Sequence, residues 1–359
     1  MNPDLGELKM NNKSFMRYGF GLIIAFILAA CAGAQDESAE EGPERSIIEI
    51  GDDLYRAQNG GHYTVFLVTD EGIILSDPIN TSFSTWLKAE LDSRFGLPVR
   101  YVLYSHHHWD HASGGGVFEE TAQFVGHENM IGQLAMPPAD TTLPSDAQGM
   151  DSNGNGQLEE SEASGFYGAQ FALFDEDANG VINGAEATRG ALKDVVPPGI
   201  TYRDRLIVTL GGKSVELIHT GNMSHTDDMS IIRFVDPSSI FVVDWISLGR
   251  VPFRTLFVNN RMTQGSGMLD SWLNAIRMAE QLDYETASGG HGVVGDKSDV
   301  TAFRHYLEEM REQVAEGIAA GQSLEDMQAS ILMEPYSDWI NYDTHRTLNV
   351  EGMYDMLIQ

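Results

Sequence analysis

Cysteine is all but missing. The 359-residue chain carries one, Cys31, so no disulfide can close within it. Basic residues are scarce as well: Lys and Arg total 22 against 53 Asp and Glu, a formal net charge of −31. A surface this acidic repels phosphate backbones, which excludes nucleic acid as an expected partner. It suits a solvent-facing protein that binds cations. The apolar run at residues 18–30 is too short for a comfortable transmembrane helix, which needs about 20 residues. What the chain does have is 42% hydrophobic residues and five Trp, enough for a globular core. Its length allows one large domain or two ordinary ones.

The 18–30 run follows Lys9, Lys13 and Arg17 and ends in Leu28-Ala29-Ala30-Cys31. A basic start followed by a short apolar stretch is the pattern of a secretory signal. The last four residues resemble a bacterial lipobox, in which the Cys31 thiol takes a diacylglycerol and becomes the mature N-terminus. Cleavage after Ala34, through Ala32-Gly33-Ala34, is the alternative, and either route exports the chain. Residues 1–31 are therefore expected to be a signal peptide with lipobox, and 32–45 an acidic tether too polar to bury a core. The resemblance implies membrane attachment through the N-terminal lipid. Ala32, not Asp, follows Cys31, which by likeness to other lipoproteins favours the outer membrane, facing the periplasm or the exterior.

From Ser46 onward strands and helices alternate. Short β-branched runs at 46–50, 63–69 and 72–75 are separated by turn residues such as Asn59-Gly60-Gly61. A helix around Trp86, Leu87 and Leu91 stops at Gly96 and Pro98, and 99–104 is the next strand. Further strands are expected at 124–125, 206–210, 214–219, 229–234 and 240–243. Helices are expected at 268–282, 300–319 and 324–333, with Ser298 and Ser323 as N-caps for the last two. Between residues 136 and 198 the texture changes. Prolines lead in and out of an interior rich in Asp, Asn, Gly, Glu and Ala, so 141–194 reads as an insertion in a domain spanning 46–359.

The strongest chemical signal follows the 99–104 strand: Ser105-His106-His107-His108-Trp109-Asp110-His111, an H-x-H-x-D-H pattern. Neutral imidazoles with a carboxylate suit zinc and similar borderline divalent ions. A single zinc needs three or four ligands, so this density points to two ions.

The motif resembles the signature of the metallo-β-lactamase superfamily, and four further segments carry the resemblance. They are Leu75-Ser76-Asp77, Gly221-Asn222-Met223-Ser224-His225-Thr226, Phe241-Val242-Val243-Asp244 and Gly289-Gly290-His291-Gly292. It implies an α/β fold, a four-layer αββα sandwich, and hydrolysis with two Zn²⁺ or other divalent ions. By the family pattern His106, His108 and His225 hold one ion, Asp110, His111 and His291 the other, and Asp244 bridges. Asp77 would orient ligands from behind, and Asp110 would also assist proton transfer. A metal-bound hydroxide attacking a carbonyl is the implied chemistry. Of the other histidines, His107, His127, His219, His305 and His345 have ordinary structural readings. His62, on a Gly-rich hairpin, is also open to substrate contact.

The insertion carries two twelve-residue runs with the spacing of EF-hand loops. The first supplies Asp151, Asn153, Asn155, Gln157, Glu159 and Glu162, with Gly156 at position 6. The second supplies Asp175, Asp177, Asn179, Val181, Asn183 and Glu186, with Gly180 at position 6. Ca²⁺ wants about seven oxygens, a Gly permits the sharp turn, and a final Glu closes the site. Leu158 and Ile182, both at position 8, are placed to pair the loops. The short spacer suits a stabilising pair better than a sensor, and binding of a protein partner through the insertion is a further possibility.

The expected function is an exported hydrolase of lactones, esters, amides or thioesters acting on a small molecule. β-Lactamases of the superfamily tend to carry Cys or Ser where this chain has Asp244, which resembles lactonases and glyoxalase II more. Glyoxalase II itself fits poorly with export, because its glutathione thioester is cytosolic. The alternatives are a β-lactamase proper, a mononuclear iron oxygenase acting on sulfur compounds, and a calcium-dependent binding protein with a vestigial site.

Overall fold

The structure is a computed structural model that describes residues 42–221, 225–256 and 269–358. The expected signal, Cys31 and most of the tether lie outside the described residues. The chain divides into two units, and the fold is that of the second, Pro43–Gln359.

Strands β1 (Arg45–Gly51), β2 (Leu54–Asn59), β3 (His62–Thr69) and β4 (Gly72–Ser76) form an antiparallel meander. Helix α1 (Thr81–Arg94) then crosses to β5 (Val99–Leu103), which runs parallel to β4. The Asn80 side chain accepts the Phe83 N–H at 2.9 Å and starts α1, whose buried Phe83, Leu87 and Leu91 recur four residues apart. After the short helix α2 (Trp109–Ala112), β6 (Gln123–His127) continues the sheet in parallel and leads into α3 (Glu128–Leu134).

Residues 141–194 hold α4 (Ser145–Gln148), β7 (Leu158–Glu159), α5 (Gly165–Ala169), α6 (Phe171–Phe174), β8 (Val181–Ile182) and α7 (Gly184–Arg189). Leu158 pairs with Ile182 across the β7–β8 ribbon, as their shared loop position predicts. The loops 151–162 and 175–186 fold alike. In each, the first Asp accepts the N–H groups of the fifth and sixth residues: Asn155 and Gly156 on Asp151, Asn179 and Gly180 on Asp175. The closing Glu accepts the second N–H, Ser152 on Glu162 and Glu176 on Glu186. A small core of Leu143, Leu158, Tyr167, Phe174 and Ile182 lies beneath, and Trp109 packs against its edge. The chain then rejoins the first sheet as β9 (Ile200–Tyr202), parallel to β6.

Among the described residues the second sheet has six strands. β10 (Arg205–Leu210), β11 (Lys213–His219), β12 (Ser230–Phe234) and β13 (Ser239–Val242) are antiparallel. Helix α8 (Leu269–Gln281) leads to β14 (Thr286–Gly289), parallel to β13, and β15 (Val294–Gly295) closes the edge. Helices α9 (Lys297–Ala319), α10 (Leu324–Ser330) and α11 (Tyr342–Ile358) follow.

Strand alternation decides the layers. Val65 and Leu67 join Val215, Leu217, Ile231 and Phe241 of the second sheet in one core, which continues to Trp272 and Phe303 of α8 and α9. The intervening Phe66 belongs instead with Phe83, Leu87 and Leu91 of α1. The result is a mixed αβ sandwich of two sheets flanked by helices.

Some boundaries depart from the sequence reading. Asp296, not Ser298, caps α9, because its carboxylate reaches two N–H groups while Asp299 returns the bond in a capping box. Helix α10 ends at Ser330, short of the expected 333. Helix α11 has no counterpart in the sequence reading. Its apolar residues follow no single face, and Asn349 and Gly352 are poor helix formers. Packing holds it instead. Asn349 donates to the Pro252 carbonyl at 3.0 Å and accepts from Tyr306 at 2.8 Å. A Cβ on Gly352 would fall 2.1 Å from the Thr255 oxygen, so only glycine permits that approach.

Candidate metal centre

Parallel strands end side by side, and loops beyond their carboxyl ends are where α/β folds build sites. Asp77 follows β4, and residues 105–111 follow β5. Across the sandwich Asp244 follows β13, and Gly290 and His291 follow β14. His225 comes from the β11–β12 connection, whose residues 222–224 lie outside the described residues.

These segments bring two groups of donor atoms together. His106, His108, His225 and Asp244 form one, and His62, Asp110, His111 and His291 the other; within each, the donors lie within 4.8 Å of one another. Asp244 faces both. Its Oδ2 is 3.2 Å from His225 Nε2 and 3.5 Å from His106 Nε2, and its Oδ1 is 3.1 Å from the Nε2 atoms of both His111 and His291. His225 Nε2 and His106 Nε2 are 3.3 Å apart. Donors about 2.1 Å from one ion at tetrahedral angles stand about 3.4 Å apart, so the set fits zinc-like ions. An orphaned pair supports the fit: His111 Nε2 and Asp244 Oδ1 are buried and make no hydrogen bond despite their closeness. Polar atoms buried that way are costly unless something else satisfies them.

Residues behind the donors fix their orientation. Asp77 is buried and accepts the Ser105 N–H at 2.8 Å and the Ser105 hydroxyl at 2.6 Å. The Ser105 oxygen lies 2.9 Å from His106 Nδ1. A proton on that nitrogen leaves Nε2 free to face Asp244, the outcome expected of a ligand-orienting relay. His107 turns away from the donors, with Nδ1 3.0 Å from the buried Asp228. His291 Nδ1 donates to the Gly61 carbonyl at 2.7 Å. The same hairpin is bound to the His291 loop twice more: Tyr63 N–H donates to Gly290 at 2.9 Å, and Arg56 to Gly292 at 2.7 Å.

The backbone is held in demanding conformations here. Asp244 has φ +62°, a left-handed value that Asp tolerates better than most residues. Ile79, β-branched, has φ +68° and is pinned by its N–H to the His111 carbonyl at 2.7 Å. A Cβ on Gly290 would lie 2.8 Å from both His111 Cε1 and Val243 Cγ1, which explains a glycine there.

Burial lowers His106 to about 4, only partly offset by Asp244, and holds His108 well below the usual range, so both are neutral at pH 7. Burial also presses His111 down, but the Asp244 and Asp110 carboxylates outweigh it and raise it to about 10. Asp77 is raised to about 6 by burial, against the pull of His111 and the Ser105 bonds. Asp244 and Asp110 are held below the ordinary carboxylate range, because the facing histidines overcome their burial.

All seven residues that the family resemblance nominated as ligands come together here. Asp77 lies beneath it. His127 stacks on His219 at 3.7 Å between centroids and belongs to packing, as read. His62 lies beside Asp110, His111 and His291, with its donor atom within 4.8 Å of theirs, and its sequence signal is the Asn59-Gly60-Gly61 turn before it. Ser105 and Asp228 had no role in the sequence reading, although one precedes the motif and the other lies three residues beyond His225.

No curated protein matches the chain. Among solved structures, a double mutant of a sec-alkyl sulfatase aligns with a TM-score of 0.60 at 14% identity, covering 88% of this chain and 50% of that one. A stereoselective inverting sec-alkylsulfatase from Pseudomonas sp. aligns at 0.56 and 14% identity, covering 86% and 50%. This chain thus spans about half the length of those two, and the likeness is one of fold. A metallo-beta-lactamase from Pontibacter korlensis aligns at 0.49 and 14% identity, covering 74% of this chain and 99% of that one. The sequence profile of the metallo-beta-lactamase superfamily matches residues 59–242, more than half of the chain. With that match, two sheets flanked by helices and a dinuclear-type donor cluster at the strand ends, the chain belongs to the metallo-β-lactamase superfamily and is a metal-dependent hydrolase.

Proposed function

We propose that this enzyme is an exported hydrolase that cleaves a lactone, ester, amide or thioester at a two-ion centre. The observation that carries the reading is Asp244, whose two oxygens face the two donor groups at 3.1–3.5 Å. In this reading His106, His108 and His225 would hold one ion, Asp110, His111 and His291 the other, and Asp244 would contribute to both. Ions bound there supply Lewis acidity and acidify water toward a pKa of about 7.

The chain's own residues do the rest. The Asp77–Ser105 relay keeps His106 Nε2 available as a donor atom. The side chains of His106 and His111 are fully buried, whereas those of His62, Asp110 and His291 are 34%, 26% and 20% exposed. Substrate therefore approaches over the second group. Asp110 stands at that open edge, where a carboxylate can exchange a proton with the attacking water or the leaving group.

We place Ca²⁺ in the 141–194 insertion as a stabilising ion. The shared hydrogen-bond pattern of the two loops and the gathering of Asp175, Asp177 and Glu186 within 4.8 Å support an EF-hand-like reading. Among the described residues the first loop forms no such trio; the Asn153 and Asn155 amides donate to Glu159 instead. Export and lipidation at Cys31 rest on the N-terminal sequence alone.

The test is to purify the protein, measure bound metals, and assay lactones, esters, thioesters, amides, β-lactams and sulfate esters. Two zinc-type ions per chain and carbonyl hydrolysis lost with a chelator are expected. One iron per chain with oxygen consumption would replace this reading with the oxygenase.

A further inference from the structure

We infer that His62 is a ligand of the second ion, a donor supplied by the β2–β3 hairpin. The inference rests on the two-ion reading and deepens it.

His62 is the first residue of β3, directly after the Asn59-Gly60-Gly61 turn. Its Nε2 lies 3.4 Å from Asp110 Oδ2. Its ring centroid is 4.6 Å from that of His291, edge to face, and 5.6 Å from that of His111. All four donors fall within 4.8 Å of one another. The 3.4 Å separation is long for an imidazolium–carboxylate bond, which closes to about 2.8 Å. It matches the spacing of about 3–3.6 Å between neighbouring ligands of one zinc-type ion, and with Asp244 counted the second ion would have five protein donors.

The hairpin is held where such a ligand requires it. Gly61, the preceding residue, accepts from His291 Nδ1, and Tyr63, the next, donates to Gly290. Arg56 of β2 reaches Gly292 from the same hairpin and stacks over the Tyr63 ring at 3.5 Å. His62 is thus flanked on both sides by backbone contacts to the loop that carries His291. With His62 counted, each group supplies three imidazoles and one carboxylate.

The experiment is zinc titration of the intact protein by chelator competition, with visible absorption of the Co²⁺-loaded form, on wild type and three variants. In His62→Ala, affinity for the second ion should fall at least about 10-fold, since loss even of an outer partner costs about 10–100-fold. The first ion should be held as in wild type, and the Co²⁺ bands of the second site should shift. His62→Phe, which keeps a ring on the hairpin, should behave like Ala, and His62→Asp should recover part of the affinity. Wild-type affinities and spectra in both Ala and Phe variants would overturn the inference and leave the two-ion centre standing. Recovery by Phe but not Asp would assign His62 a packing role and overturn it too. A wild type that binds one ion would overturn the two-ion reading and this inference together. Metal-free melting curves of the variants separate loss of affinity from loss of fold.

Discussion

The Nδ1 of His291 donates to the carbonyl oxygen of Gly61 at 2.7 Å, across 230 residues of sequence. That bond fixes which nitrogen carries the proton and leaves Nε2 facing Asp244 Oδ1 at 3.1 Å. A hairpin of the first sheet therefore orients a donor that belongs to the second. The same logic recurs beneath His106 through Ser105 and Asp77.

Asp77→Asn tests that logic. The amide keeps the shape but cannot accept from both the Ser105 N–H and hydroxyl as the carboxylate does. Zinc affinity is expected to drop about 10–100-fold. Chelator competition measures it, and unchanged affinity would separate Asp77 from the centre.

Gly290→Ala should act on His111. The new Cβ meets the ring at 2.8 Å and Val243 at the same distance, so the imidazole must move. Second-ion affinity and turnover should both fall, with the first ion retained. Zinc stoichiometry at limiting free metal shows the outcome.

Helices α8 and α9 are joined by Arg304, whose Nε is 2.9 Å from Glu280 and whose Nη1 is 2.6 Å from Glu308. Burial pushes the Glu280 carboxyl up, but the Arg304 bond outweighs it and holds the group below its ordinary value. A carboxyl lowered in the folded state contributes stability above its unfolded pKa of about 4.3 and loses it as pH falls through the folded value. Urea unfolding of wild type and Glu280→Gln should therefore differ at pH 7 and converge in the acid range. A constant gap across pH would show that the difference comes from shape alone.

Calcium should raise the melting temperature of the wild type. Binding to the folded form alone contributes about 2.7 kcal/mol at a hundredfold excess over the dissociation constant. Glu162→Gln combined with Glu186→Gln should abolish the increment, because each Glu closes its loop. Differential scanning calorimetry with and without Ca²⁺ decides the matter. A steep calcium dependence of turnover below the melting range would instead assign residues 141–194 a gating role, for which the Trp109–Phe166 contact, 5.8 Å between centroids, is one route.

The metal centre was legible because its donors sit in short, contiguous segments at strand ends. The residues from His106 to His111 read as one motif, and Asp77, His225, Asp244 and His291 each stand in a recognisable frame. His62 was harder to place, because its position depends on how a hairpin closes on a loop far away in sequence. Asp228 was silent for the same reason, being tied to the centre through His107. In the fold, amphipathic α8 was plain, with Trp272, Leu273, Ile276 and Ala279 on its buried side. Helix α11 was not, since tertiary contacts at Asn349 and Gly352 override weak local propensity.

The Tyr63 N–H to Gly290 bond joins main chain to main chain between the first sheet and the loop after β14, at the edge where the donors meet. Its amide proton is shielded only while that edge is closed, which makes its exchange with deuterated solvent a local clock for breathing of the sandwich. Val65, two residues along the same strand, donates to the buried Ser76 hydroxyl within its own sheet and supplies a built-in reference. Ion uptake should slow the Tyr63 clock and leave that of Val65 running as before.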